Sequence, residues 1–181
     1  DQLISACGEE GKAMLIDCRS LETNYAPLPD EATLFVLDTN TRRGLVDSAY
    51  NQRREECEQA ARHFKVPALR DVSYAQLVSA QSELTEEIFN RARHVITENR
   101  RTQQALRAMV KRDPVKLGEL LTESHESLRD YYEVSSEELN VMVRIALEEQ
   151  GCYGARMTGA GFGGCAIALV HPDQNAQFQK H

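Results

Sequence analysis

The sequence predicts an α+β protein with helices packed on one face of a sheet. Three observations carry this. Short apolar runs at 13–18, 33–37 and 165–170 have the length of strands. Four longer segments, 47–64, 84–111, 114–128 and 135–150, carry apolar residues at helical spacing or open on helix-start signals. Six of the ten glycines fall between Gly151 and Gly164, immediately before the last apolar run. Such a run reads as a buried strand, so the glycines predict a structured loop leading into a sheet rather than a flexible linker.

Taken in order, Ala13 to Cys18 and Thr33 to Leu37 are the first two strands, with a proline-marked loop between them at Tyr25 to Asp30. Asp47 can cap a helix running to Phe64, whose apolar side would hold Tyr50, Cys57, Ala61 and Phe64; Pro67 follows its end. A long helix from Leu84 to Lys111 shows the stripe Leu84, Ile88, Ala92, Val95, Thr102, Leu106 and Met109. Asp113 then caps a new helix with Pro114 at its first position, its inner face being Leu117, Leu121, Ser124 and Leu128. Ser135 and Glu138 are spaced as a capping box for a last helix ending near Gln150.

At 181 residues the chain holds one domain, or one domain with part of another. It has no apolar stretch of about 18 residues and no signal peptide, so no transmembrane helix is expected. A formal net charge of −7 argues against nucleic acid as the main partner. The pairs Arg42-Arg43, Arg53-Arg54 and Arg100-Arg101 read as solvated helix faces or ion pairs. Five cysteines without a Cys-x-x-Cys pair argue against a zinc ribbon or redox motif. Several sit in apolar runs as small buried hydrophobes, and free thiols suit a cytoplasmic protein. The five histidines show no metal spacing. The glycine loop has two readings from spacing alone: a tight hairpin packed on a helix, or a cradle whose N–H groups take an anion.

Four segments carry a resemblance. RMTGAGFGGC at 156–165 resembles the third signature motif of the GHMP small-molecule kinases. LIDCRSLE at 15–22, SAYNQRR at 48–54 and ESHESLRDY at 123–131 resemble the galactokinase branch of that family. The resemblance runs from Asp1 to about Val170. It implies a GHMP kinase two-domain fold with a mostly antiparallel sheet. Residues 1–40 would be the remnant of the first domain or interdomain strands, and 41–181 the C-terminal domain, truncated at its end. The first two family motifs and a last strand would lie outside this chain, which thus reads as a C-terminal fragment.

The resemblance also implies the chemistry. The parent would be a monomeric cytoplasmic kinase using ATP and Mg2+ to phosphorylate α-D-galactose at its anomeric hydroxyl, without nucleic-acid or membrane partners. The fragment alone would be inactive. Asp1 matches the aspartate that orients and deprotonates the sugar hydroxyl, and Tyr50 a tyrosine that hydrogen-bonds the sugar. Thr158, Gly159, Gly161, Gly163 and Gly164 match the loop beside sugar and phosphates. Arg42 lies near a basic residue that adds positive potential at the phosphates. Magnesium ligands would lie outside this chain. Many relatives carry glycine where this chain has Ala160, which predicts ordinary backbone geometry there. Asp17, Arg19 and His125 match structural family markers. A galactose- and ATP-binding regulator on the same fold, an N-acetylgalactosamine kinase, and a mere folding or interaction module remain open alternatives.

Overall fold

The structure, a computed structural model, describes residues 2–41 and 46–180, with the side chains of 46–48 left aside. Helix α1 (Gln2–Cys7) leads into strands β1 (Lys12–Ile16), β2 (Thr23–Pro27) and β3 (Thr33–Asp38). Helices α2 (Val46–His63), α3 (Tyr74–Ser79), α4 (Glu86–Val110), α5 (Pro114–Asp130) and α6 (Glu137–Glu148) follow. The chain closes with β4 (Cys152–Met157), β5 (Cys165–Val170) and the short α7 (Asn175–Phe178). Two antiparallel sheets result, β1-β2 and β3-β5-β4. No helix among the described residues is long and apolar enough to cross a membrane.

Strand β2 corrects the expectation of a loop at Tyr25 to Asp30. Pro27 has no N–H to give a ladder, but it sits at the strand's end, opposite Lys12, where that loss is tolerated. Tyr25 Oη donates to the Cys7 carbonyl at 2.7 Å and ties α1 to this sheet. Strand β4 was likewise hidden inside the glycine-rich stretch. It pairs with β5 from Cys152↔Val170 to Met157↔Ala166, with a bulge between Cys152 and Gly154.

Helices α5 and α6 cover the three-stranded sheet. Small sheet residues, Ala155, Ala166 and Ala168, lie under Leu128, Leu139 and Val143, all buried. The closest approach is at Gly118 of α5 and Gly154 of β4. A Cβ on Gly154 would stand 1.9 Å from the Gly118 carbonyl oxygen. Glycine is required here by space, because the φ of Gly154 is not positive. A second core joins α2, α3 and α4 around Ala60, Leu77, Phe89, Ala92 and Ile96.

The helix signals hold with small shifts. Asp113 caps α5, accepting from the Lys116 N–H at 2.9 Å, and Pro114 opens it. Ser136 rather than Ser135 caps α6; Ser135 instead donates to Asn140. Of the stripe expected on α4, Ala92 is buried and Leu84, Ile88, Val95 and Met109 pack half-buried against the cores, while Thr102 is exposed; Phe89, Arg91, His94 and Ile96 are deep residues beside it. On α2, Tyr50 is 57% exposed and does not join the inner face. On α5, Leu120 is buried more deeply than Leu121. The cysteines are less buried than expected, with Cys7 and Cys18 exposed, Cys57, Cys152 and Cys165 half-buried, and all five free.

Candidate active site

The glycine loop is the turn of the β4–β5 hairpin. Its base closes with the Thr158 N–H donating to the Cys165 carbonyl at 2.9 Å. Gly159, Gly161, Gly163 and Gly164 have φ of 75°, 86°, 124° and 88°, and Phe162 has 59°. A residue with a Cβ is strained in this region, which accounts for the four glycines; Phe162 adopts it despite its side chain. Ala160 is not among the positive-φ residues, as its side chain predicts.

Two grips hold the loop. On one side, the Gly164 carbonyl accepts from the Thr39 N–H at 3.1 Å and from Thr39 Oγ1 at 2.7 Å, and the Gly164 N–H donates to Thr41 at 3.2 Å. On the other, the Phe162 N–H donates to the Val134 carbonyl at 2.7 Å. Gly161 lies so close to that carbonyl that a Cβ would come within 2.1 Å of it. The hairpin reading and the cradle reading are therefore both compatible with the same object. Among the described residues, nothing accepts from the N–H groups of Gly159, Ala160, Gly161 or Gly163. A fixed turn of successive positive-φ residues is suited to an anion.

Tyr50 stands at the mouth of a groove of about 330 Å³ that also includes Arg54, Cys57, Leu69, Val95 and Tyr132. The Tyr132 phenol lies 3.8 Å from Cys57 Sγ, and burial pushes both groups' pKa values up. Tyr132 is two residues before Val134, so one chain segment serves both the groove and the loop. Asp1 and Arg42, the expected catalytic carboxylate and phosphate-side cation, lie outside the described residues.

The residues missed in the sequence are charged and buried. Arg91 of α4 is 1% exposed and Arg53 of α2 is 9% exposed. Arg91 donates from Nε to Glu56 Oε2 at 2.7 Å, from Nη1 to the Tyr131 carbonyl at 2.6 Å, and from Nη2 to Glu133 Oε2 at 2.7 Å. Arg53 donates from Nε to the Tyr132 carbonyl at 2.6 Å and from Nη2 to the Glu133 carbonyl at 3.2 Å. Burial opposes the charge on Glu56, but hydrogen bonds from Arg91 and Gln52 outweigh it and hold the carboxyl below its ordinary pKa. Of the two readings of the Arg53-Arg54 pair, Arg53 is a buried ion-pair residue, facing Glu56 and Glu133, while Arg54 is exposed and bonds Glu58. The signal available was the line Arg53, Glu56, Ala60, whose helical spacing puts two charges on the stripe of a buried alanine.

The family markers are structural. Asp17 takes a two-point bond from Arg70 at 2.7 and 2.6 Å, and Arg19 makes one to Asp71 at 3.0 and 2.7 Å. Together they clamp the end of β1 to the turn at Leu69–Asp71. The bond from Arg70, with the Arg19 and Ser20 N–H groups, holds the Asp17 carboxyl far below the usual range. His125 is buried and accepts from the Met157 N–H at 3.3 Å, with Asn140 beside the ring.

Helices over a small-residue antiparallel sheet, with a gripped glycine turn between its last two strands, define a GHMP kinase C-terminal fold. The family model described as GHMP kinases C terminal matches residues 105–181. A known structure that shares this fold is that of L. major mevalonate kinase in complex with R-mevalonate, with a TM-score of 0.57 at 22% identity, covering 92% of this chain and 43% of that one.

Within that class the chain is a homologue of galactokinase. It is 45% identical to the galactokinase of Canis lupus familiaris over 100% of this chain and 46% of that protein. Lactococcus lactis galactokinase complexed with galactose superposes with a TM-score of 0.93 at 38% identity, covering 99% of this chain and 48% of that one. The chain spans about half the length of the galactokinases it matches.

Proposed function

We propose that the protein carrying this chain transfers the γ-phosphoryl group of ATP to the anomeric hydroxyl of α-D-galactose, giving galactose 1-phosphate. The observation that carries this reading is the 45% identity to a galactokinase across the whole of this chain, the glycine loop included. A solved relative of nearly the same fold has galactose bound.

Phosphoryl transfer asks a protein mainly for positioning and charge stabilisation. In this reading the N–H groups of Gly159, Ala160, Gly161 and Gly163 face developing negative charge. A preset donor needs no reorganisation when that charge appears. Asp1 takes the proton of the sugar hydroxyl, Tyr50 hydrogen-bonds the sugar, and Arg42 adds positive potential at the phosphates. Magnesium, which would neutralise phosphate charge when bound, is held by residues outside this chain. Residues 1–40 are the remnant of the first domain or interdomain strands, with β3 paired to β5, and 41–181 are the second domain, truncated at its end.

The test is galactose-dependent ADP release by the full-length protein, with N-acetylgalactosamine as the competing sugar and galactose binding measured in parallel. Turnover selective for galactose is expected. Binding of galactose and ATP without turnover would favour a regulator instead. Asp1→Asn should lower kcat by about 10²–10⁴-fold, the usual worth of a general base, with a smaller change in KM. A kcat within about threefold of the unaltered protein, far short of that worth, would remove Asp1 from the role.

A further inference from the structure

Four consecutive backbone carbonyls link the buried arginines to the glycine loop. The Tyr131 carbonyl accepts from Arg91, the Tyr132 and Glu133 carbonyls from Arg53, and the Val134 carbonyl from the Phe162 N–H. The same guanidinium of Arg91 also holds the Glu133 carboxylate. Between them, Glu133 has φ 53°, a left-handed conformation strained for a residue with a Cβ. Strained backbone persists where its surroundings over-determine it, and it clusters at functional sites. Here the surroundings are two buried cations balanced by Glu56 and Glu133. His94 adds a further hold, stacking on Tyr132 at 4.4 Å and bonding Ser127 at 2.9 Å.

Buried ion pairs are weak contributors to stability compared with apolar residues of similar volume. The network holds the connection that carries the Val134 carbonyl, against which Gly161 and Phe162 are seated.

We infer that Arg53, Arg91 and Glu133 are positioning residues that set the glycine loop at the transferring phosphoryl group through the connection 131–134. The inference rests on the kinase reading above. Groups on α2 and α4 thereby control the registration of the loop on the substrate through this connection.

The experiment is a double-mutant cycle in the full-length protein, with kcat and both KM values measured. Arg53→Lys keeps the charge but cannot reach two carbonyls with a fixed fork. Gly161→Ala disturbs the other end of the same relay. Each should lower kcat by about tenfold or more, since a shift near 1 Å can cost about a hundredfold. Because both act on one relay, the double variant should fall within about twofold of the worse single. Losses that multiply would overturn the inference, as would Arg53→Lys with a kcat within about twofold of the unaltered protein.

Glu133→Gly guards against loss of folding. Glycine takes φ 53° without strain, which offsets part of the lost bond to the buried Arg91 guanidinium, and Glu56 still pairs that guanidinium, so the variant should fold with a lowered thermal midpoint. The carboxylate bond to Arg91 is lost, and kcat should still fall about fivefold or more. Normal kcat in this folded variant would overturn the inference. If the unaltered protein shows no galactose-dependent turnover, the kinase reading fails and this inference fails with it. Turnover with multiplying losses sinks the inference alone.

Discussion

Substituting Gly154 by alanine should destabilise the fold through space alone. Its backbone is in an ordinary region, so the added Cβ meets no conformational penalty. It would stand 1.9 Å from the Gly118 carbonyl oxygen, 2.4 Å from its carbonyl carbon and 2.6 Å from its Cα. Ordinary contact needs roughly 3.5 Å. All three obstacles are backbone, so no side chain can swing aside, and α5 must separate from β4 by about 1.5 Å to restore contact distance. Overpacking of this kind costs about 1–3 kcal/mol, and the upper end applies where nothing can yield. The unfolded chain gives back about 0.4–1 kcal/mol, because alanine has less freedom to lose than glycine. The net is about 2 kcal/mol, which in a chain of this size lowers the thermal midpoint by roughly 4–8 °C. Circular dichroism melts of the two proteins measure it. Gly11→Ala is the matched control: φ is 70° but nothing lies within 4 Å, so only backbone strain acts, about 1–2 kcal/mol. A midpoint for Gly154→Ala equal to or above that of the unaltered protein would refute the close-contact argument.

Two further outcomes follow from the same structure. Tyr50→Phe in the full-length protein should raise the galactose KM about 2–12-fold, the worth of one neutral hydrogen bond, and leave the thermal midpoint alone because the ring is largely exposed; an unchanged KM would return Tyr50 to a surface role. Burial lowers the pKa of both His94 and His125 from an ordinary 6.5 to about 4. The unfolded chain therefore takes up these protons first as the pH falls. Their contribution is complete above about pH 6.5 and is lost toward pH 4, at up to about 1.4 kcal/mol per pH unit for each histidine. Denaturant melts between pH 7 and 5 should show that decline, and His94→Gln should reduce it; a flat profile would contradict the buried, neutral rings.

Much of the fold was legible because its signals are local. Asp113-Pro114 marks a helix start by chemistry that needs no tertiary partner, and the structure has α5 begin there. The run 165–170 is apolar along its length because β5 lies in the middle of its sheet. What was not legible depends on pieces distant in sequence. Gly154 reads as part of a loop until Gly118, 36 positions earlier in the sequence, is known to lie against it. Pro27 reads as a loop marker until Lys12 is known to be its pairing partner. The adjacent Ser135 and Ser136 offer the same cap, and only the packing of α6 selects between them. The glycine turn was legible as a loop into a strand. Its two grips were not, because Thr39 and Val134 carry no pattern of their own. The buried arginines were missed because a charged pair on a helix is ordinarily solvated, and their acceptors, carbonyls of a connection between helices, leave no trace in side-chain identity.

The central claim is anomeric phosphorylation of galactose, and the product tests it most directly. The full-length protein is incubated with galactose, ATP and magnesium, and the phosphorylated sugar is examined by 31P NMR with proton coupling. The account predicts one new phosphate resonance coupled to the anomeric proton. A phosphate coupled to any other sugar proton, or no sugar phosphate while galactose and ATP both bind, would contradict it.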